Sequence, residues 1–218
     1  MIIPSIPTTL AEMLNFLQPT VQDGLFDSVA YDDADTPTKI VCTQGGNTIL
    51  EITASGSIFT FNPYVADGIA ATGRGMTTPL SSCFRCKGGV YFISNLKGAP
   101  EYYYRFVIAK TSSGKTGFIK LSNVQVNTEA ALRLYPTCYG DNTSLNIYTN
   151  GYCIYMNYYN QTYDRTVLSK IPVAGENGST DYFTGCFIRS AFQFAETGVQ
   201  SIGGKSYGCS DCFAILDE

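Results

Sequence analysis

The chain has 218 residues, a net charge of −4, eight Cys, 16 Tyr and 13 Phe, and it contains neither His nor Trp. Without histidine it has no Ser-His-Asp triad, no Cys-His protease pair and no histidine-ligated zinc site. Acidic residues outnumber basic ones and no Lys/Arg run occurs, which argues against nucleic acid as a partner, while a charged fraction of only 15% suits a surface partly covered by assembly or one made of Ser, Thr, Asn and Gly.

In chain order, Met1 to Pro7 carries no basic region and no long apolar core. No stretch approaches the roughly 20 apolar residues of a membrane-spanning helix, so the expectation is a protein made in a cytoplasm, soluble, and not inserted in a membrane. Thr9-Leu10-Ala11-Glu12 has the form of a capping box, and Leu10, Met13, Leu14 and Leu17 follow at helical spacing. A short helix is expected there, stopped by Pro19. It serves either as a lid on one end of a β core or as an arm docking on a neighbouring subunit. Residues 1–20 are read as an N-terminal arm with this helix, and 21–218 as a single β-rich domain.

From about residue 24 the punctuation is that of antiparallel sheet. Lys39 to Thr43 and Thr48 to Thr53 flank a Gly45-Gly46 turn, and Ser55-Gly56 leads into Ile58 to Phe61. Gly68 to Ser82 reads as a long loop. Val90 to Ile93 is a strand, followed by Tyr102 to Lys110, a turn at Ser112 to Gly114, and Thr116 to Leu121. Glu129 to Leu134 is a second helical candidate. Asn150-Gly151 signals a hairpin between Leu145 to Tyr148 and Tyr152 to Tyr155, Gly203-Gly204 another, and Phe213 to Leu216 closes the chain. Short strands at this spacing predict a mainly β fold, an antiparallel sandwich or barrel-like domain with a short N-terminal helix.

Several stretches imitate chemical sites. Ser113-Gly114-Lys115-Thr116 has the tail of a phosphate-binding loop but joins two strands, so it reads as a turn. Asp32, Asp33 and Asp35 cluster without the Gly and distal Glu of a calcium loop. The pairs Cys83/Cys86 and Cys209/Cys212 offer a four-thiolate zinc site as a weaker alternative to buried thiols; Cys42 and Cys153 fall within apolar strand patterns. No cofactor is expected. Asp141, Asp164, Glu176 and Asp181 lie in polar stretches and would be the raw material for carboxylate catalysis, but their spacing selects no pair.

The tyrosines are the strongest candidates for contact with something outside the chain. Tyr102, Tyr103 and Tyr104 are consecutive, and strand neighbours point to opposite faces, so they cannot share one core. Tyr148, Tyr152, Tyr155, Tyr158 and Tyr159 crowd around Asn150-Gly151. Tyrosine suits protein interfaces and sugar rings, and it also simply pairs across strands.

The segment Ile202 to Cys209, running into Phe213 to Asp217, together with Asp23 to Phe26 and Ile40 to Thr43, resembles small structural virion proteins of tailed bacteriophages of Gram-positive hosts. The resemblance implies a β-sandwich-like component of a tail, baseplate, collar or capsid surface, with no catalytic residues to carry over. The expected function is then structural: self-association as a homo-oligomer and docking on other virion proteins after synthesis in the host cytoplasm. A receptor- or glycan-binding module directed at host surface glycan is the alternative, and a carboxylate-dependent glycan hydrolase stands behind both.

Overall fold

The structure, a computed structural model, describes residues 1–3, 5–64, 76–96, 102–123, 131–139, 147–148, 154–157, 168–174, 180–189, 198–209 and 213–217. It begins with helix α1 (Leu10–Leu17) and a 3-10 turn (Gln18–Val21) that contains Pro19. The capping box forms: the Thr9 hydroxyl accepts from Glu12 N–H at 3.2 Å, and the Glu12 carboxylate accepts from Thr9 N–H at 3.1 Å and Thr8 N–H at 2.7 Å. Eight residues are too few to hold a helix in water. Packing holds this one, since Met13, Phe16 and Leu17 are buried and Leu10 and Leu14 lie partly buried against the same core.

Every described element after the 3-10 turn is a strand, and the strands form three antiparallel sheets. The first contains β1 (Ser28–Tyr31), β2 (Lys39–Gln44), β3 (Asn47–Ser55), β4 (Ile58–Pro63) and β5 (Met76–Pro79), in that order. The second runs from edge strand β6 (Ser82–Cys86) through β7 (Gly89–Leu96), β8 (Tyr102–Lys110) and β9 (Thr116–Asn123) to β10 (Ala131–Tyr139), with β11 (Ile147–Tyr148) and β12 (Ile154–Asn157) both pairing with β10. The third has the order β13 (Leu168–Ala174), β14 (Thr180–Arg189), β17 (Phe213–Leu216), β16 (Lys205–Cys209), β15 (Gly198–Ile202). Among the described residues the sheets stay open, so the sandwich-like expectation holds and the barrel-like one does not.

The second sheet is covered on both faces. Cys83, Val90, Phe92, Phe106, Ile108 and Phe118 point into one core with Ile40, Leu50, Ile52, Phe59 and Phe61 of the first sheet and the buried helix residues. Phe84, Cys86, Tyr91, Ile93, Val107, Ala109 and Ile119 point into another with Ile171, Phe183, Cys186, Phe213 and Ile215 of the third. Register enforces this division: Val90 lies opposite Ile108, which lies opposite Phe118, while Tyr91, Val107 and Ile119 form the adjacent row on the other face. That is why Val90 to Ile93 and Phe106 to Ala109 are continuously apolar where a half-exposed antiparallel strand would alternate. Aromatic contacts fill both cores, with Phe61 and Phe92 centroids 4.8 Å apart in one and Tyr91 and Phe213 5.6 Å apart in the other.

Tight turns come where glycine permits positive φ, as at Gly45 and Gly46 (60° and 78°) and at Gly203 and Gly204 (59° and 81°). Three expectations are overturned. Ala131–Tyr139 is a strand where Glu129 to Leu134 suggested a helix, because pairing with β12 along Ala131 to Leu134 and with β9 along Leu134 to Tyr139 outweighs local propensity. The segment read as a loop from Gly68 contains β5, paired with β4. Finally, β11 and β12 do not pair with each other; each pairs with the nine-residue β10, which offers far more ladder than the two residues of β11.

Candidate interaction surfaces

The N-terminal arm is tied to the edge of the second sheet. Ile2 pairs antiparallel with Arg85 of β6, its N–H donating to Arg85 O at 2.8 Å and its carbonyl accepting from Arg85 N–H at 3.0 Å. The Met1 amine is ion-paired with the Asp217 carboxylate. Gly208 makes room for this junction, because a Cβ there would overlap Cys86 Sγ and stand 2.8 Å from Met1 Sδ. The arm leaves apolar side chains open to water, with Ile2 55% and Ile3 54% exposed and Ile6 also exposed.

The same strand holds the helix. Arg85 Nη1 donates to the Phe16 carbonyl at 2.7 Å, placing a cation at the helix C-terminus, and the guanidinium lies over the Phe16 ring. The Phe16 and Phe92 rings meet edge-on at 5.5 Å. Of the expected docking stripe, Met13 and Leu17 are fully buried within this chain and Leu10 and Leu14 lie partly buried against it. The helix therefore packs as a lid on its own core, with Leu10 and Leu14 of that stripe left partly exposed. Phe16 and Arg85 were missing from the sequence reading. Phe16 fits the same helical spacing one step from Leu17, whereas nothing local marks Arg85, which reaches the helix from a strand 69 positions away.

Of the tyrosines, Tyr102 and Tyr104 occupy β8 opposite Leu96 and Ser94, Tyr148 pairs with Thr137, and Tyr155 with Arg133. Both last pairings are to β10, so the structure brings Tyr148 and Tyr155 to one side of one strand. Tyr152, Tyr158 and Tyr159 lie outside the described residues, as do Asp141, Asp164, Glu176, Cys153 and Cys212. Asp181 is in β14, opposite Val173.

The cysteine geometry is decisive for the zinc alternative. Cys83 and Cys86 are three apart on one strand and so face opposite ways, Cys83 into the core beneath the first sheet and Cys86 into the core beneath the third. They cannot bind one ion together, and the four-thiolate site built on both pairs is ruled out. Burial pushes the thiols of Cys83 and Cys86 up to about 12, and that of Cys42 higher still. Cys42, Cys83, Cys86, Cys186 and Cys209 are all buried.

The acidic cluster is occupied by its own loop. The Asp32 carboxylate accepts from Thr38 Oγ1 at 2.5 Å and from the N–H groups of Thr38 and Lys39, each at 3.0 Å; Asp33 accepts from Asp35 and Thr36 N–H at 2.8 and 3.0 Å. These bonds hold both carboxyl groups below the usual carboxylate range. Ser113 to Lys115 forms the turn between β8 and β9. No described helix is long and apolar enough to cross a membrane. No protein-family model, curated protein or solved structure matches the chain.

Proposed function

We propose that the chain is a structural virion protein of a tailed bacteriophage, acting without catalysis through self-association and docking on neighbouring virion proteins in a particle assembled in the host cytoplasm. The observation that carries the self-association reading is the exposed apolar arm: Ile2, Ile3 and Ile6 stand in water beside an edge strand to which the arm is hydrogen-bonded. Grouped apolar side chains on an otherwise lightly charged surface suit a protein contact. The virion setting rests on the likeness of Ile202 to Cys209 and Phe213 to Asp217 to such proteins. A module binding host surface glycan is the second reading, favoured by the consecutive Tyr102, Tyr103 and Tyr104.

Sedimentation velocity of the full chain at rising concentration tests the first reading. Reversible growth to a defined oligomer is the expected result. A monomer at every concentration that binds host-wall polysaccharide overturns it in favour of the second reading, and turnover of that polysaccharide overturns the absence of catalysis.

A further inference from the structure

We infer that β15 is the strand through which two copies of this chain pair, antiparallel and edge to edge, about a two-fold axis. The inference rests on the self-association reading and adds to the exposed arm a second surface through which copies meet.

The argument starts from how the molecule treats its other sheet edges. An open edge exposes main-chain N–H and C=O groups and recruits another strand unless it is shortened, charged, interrupted by proline or covered. The β6 edge is covered by the arm through the Ile2–Arg85 pairing. The β1 strand is four residues long and flanked by Asp27 and Asp32. The four residues of β5 end in Pro79. The β13 strand contains Lys170 and Pro172 and shifts register between them. The outer strands on β10 are only two and four residues long.

Among the described residues, strand β15, Gly198-Val199-Gln200-Ser201-Ile202, has none of these devices. It is uncharged and proline-free, it keeps regular register with β16 through all five residues, and it is the last described strand of its sheet. Val199 is 58% exposed, the most exposed large apolar side chain among the described residues.

The strand is also complementary to itself. Ile202 and Lys205 close a two-residue turn, which makes them a hydrogen-bonded pair, and such pairs alternate along an antiparallel ladder. Gln200 and Gly198 therefore face β16 with their main-chain groups, and Val199 and Ser201 turn theirs outward. Being two residues apart, these outward residues match across a two-fold axis through Gln200. Val199 exchanges both main-chain hydrogen bonds with Ser201 of the second copy, and Ser201 with Val199 of the second copy. No charge meets a like charge, and the two five-stranded sheets become one. A contact this short is weak and specific, so association depends on concentration.

The test compares wild type, Ser201→Pro and Val199→Lys as full-length chains by sedimentation equilibrium, with circular dichroism and thermal melting of each at low concentration. Proline removes only an outward N–H and is tolerated on an edge strand, and lysine is the natural edge guard. Dimerisation of the wild type, weakened at least about tenfold in both variants with an unchanged spectrum, is the expected result. If one variant fails to fold, the other decides. Dimerisation unaffected in a folded variant overturns the β15 assignment and leaves self-association standing. A wild type that stays monomeric overturns both.

Discussion

Gly88 and Gly185 touch backbone to backbone where β14 crosses the turn between β6 and β7. A Cβ on Gly88 would stand 2.7 Å from the Gly185 carbonyl oxygen and 2.9 Å from Leu216 O, and one on Gly185 would overlap the Gly88 carbonyl. The contact is fixed by a hydrogen bond from Gly88 N–H to Leu216 O at 2.7 Å. Space and not backbone conformation demands glycine here, since neither residue has positive φ. The second and third sheets are thus stapled at a point with no room for a methyl group. Gly185→Ala is expected to cost about 1–3 kcal/mol as the sheets part to admit it. Urea denaturation measures this as a lower midpoint at unchanged slope; an unchanged midpoint would mean that the sheets are not in backbone contact.

Much of the fold was legible wherever glycine turns bracket a strand. Tyr102 to Lys110 and Phe213 to Leu216 are strands over the expected residues, and the Gly45-Gly46 and Gly203-Gly204 turns are in place. Layering was not legible. Four consecutive apolar residues at Val90 to Ile93 say that both faces are buried, but not that separate sheets bury them. Met76 to Pro79 reads as loop because its stability comes from pairing with β4, a long-range property. The candidate site suffered from the same gap. Once Ser82–Cys86 is known to be a strand, three-residue spacing alone places Cys83 and Cys86 on opposite faces. Without that knowledge the pair looks like half a metal site.

Acid should destabilise the protein through carboxylates that its own loops hold. Glu12 is kept ionised chiefly by Thr8 N–H, Asp32 chiefly by the Thr38 hydroxyl and Asp33 chiefly by Thr36 N–H, and all three lie below their ordinary values of 4.5, 3.8 and 3.8. Folded values below unfolded ones mean that the unfolded chain binds more protons in that window. The stabilisation is complete above about pH 5 and is lost as pH falls through the unfolded and then the folded values. The melting temperature should fall steadily below pH 5, and Asp32→Asn should flatten that limb while lowering the plateau near neutrality. A limb unchanged in the variant would show that the loop around Thr38 and Lys39 does not grip the carboxylate.

The buried thiols make the opposite prediction at high pH. With Cys83 and Cys86 pushed up to about 12 from an ordinary 9.0, and Cys42 further, the folded chain keeps protons that the unfolded chain releases above pH 9. The native form then binds more protons than the unfolded one, so stability falls as pH rises from about 9. The same burial protects these sulfurs from reagents, because only an accessible thiolate attacks. In the native protein at pH 8, peptide mapping after alkylation should find Cys42, Cys83, Cys86, Cys186 and Cys209 unmodified, with all five labelled once denaturant is added. Rapid native labelling of Cys83 or Cys86 would mean that the second sheet is open on that face. Labelling that is blocked by added zinc would return both sulfurs to one side of the strand and undo the layering itself.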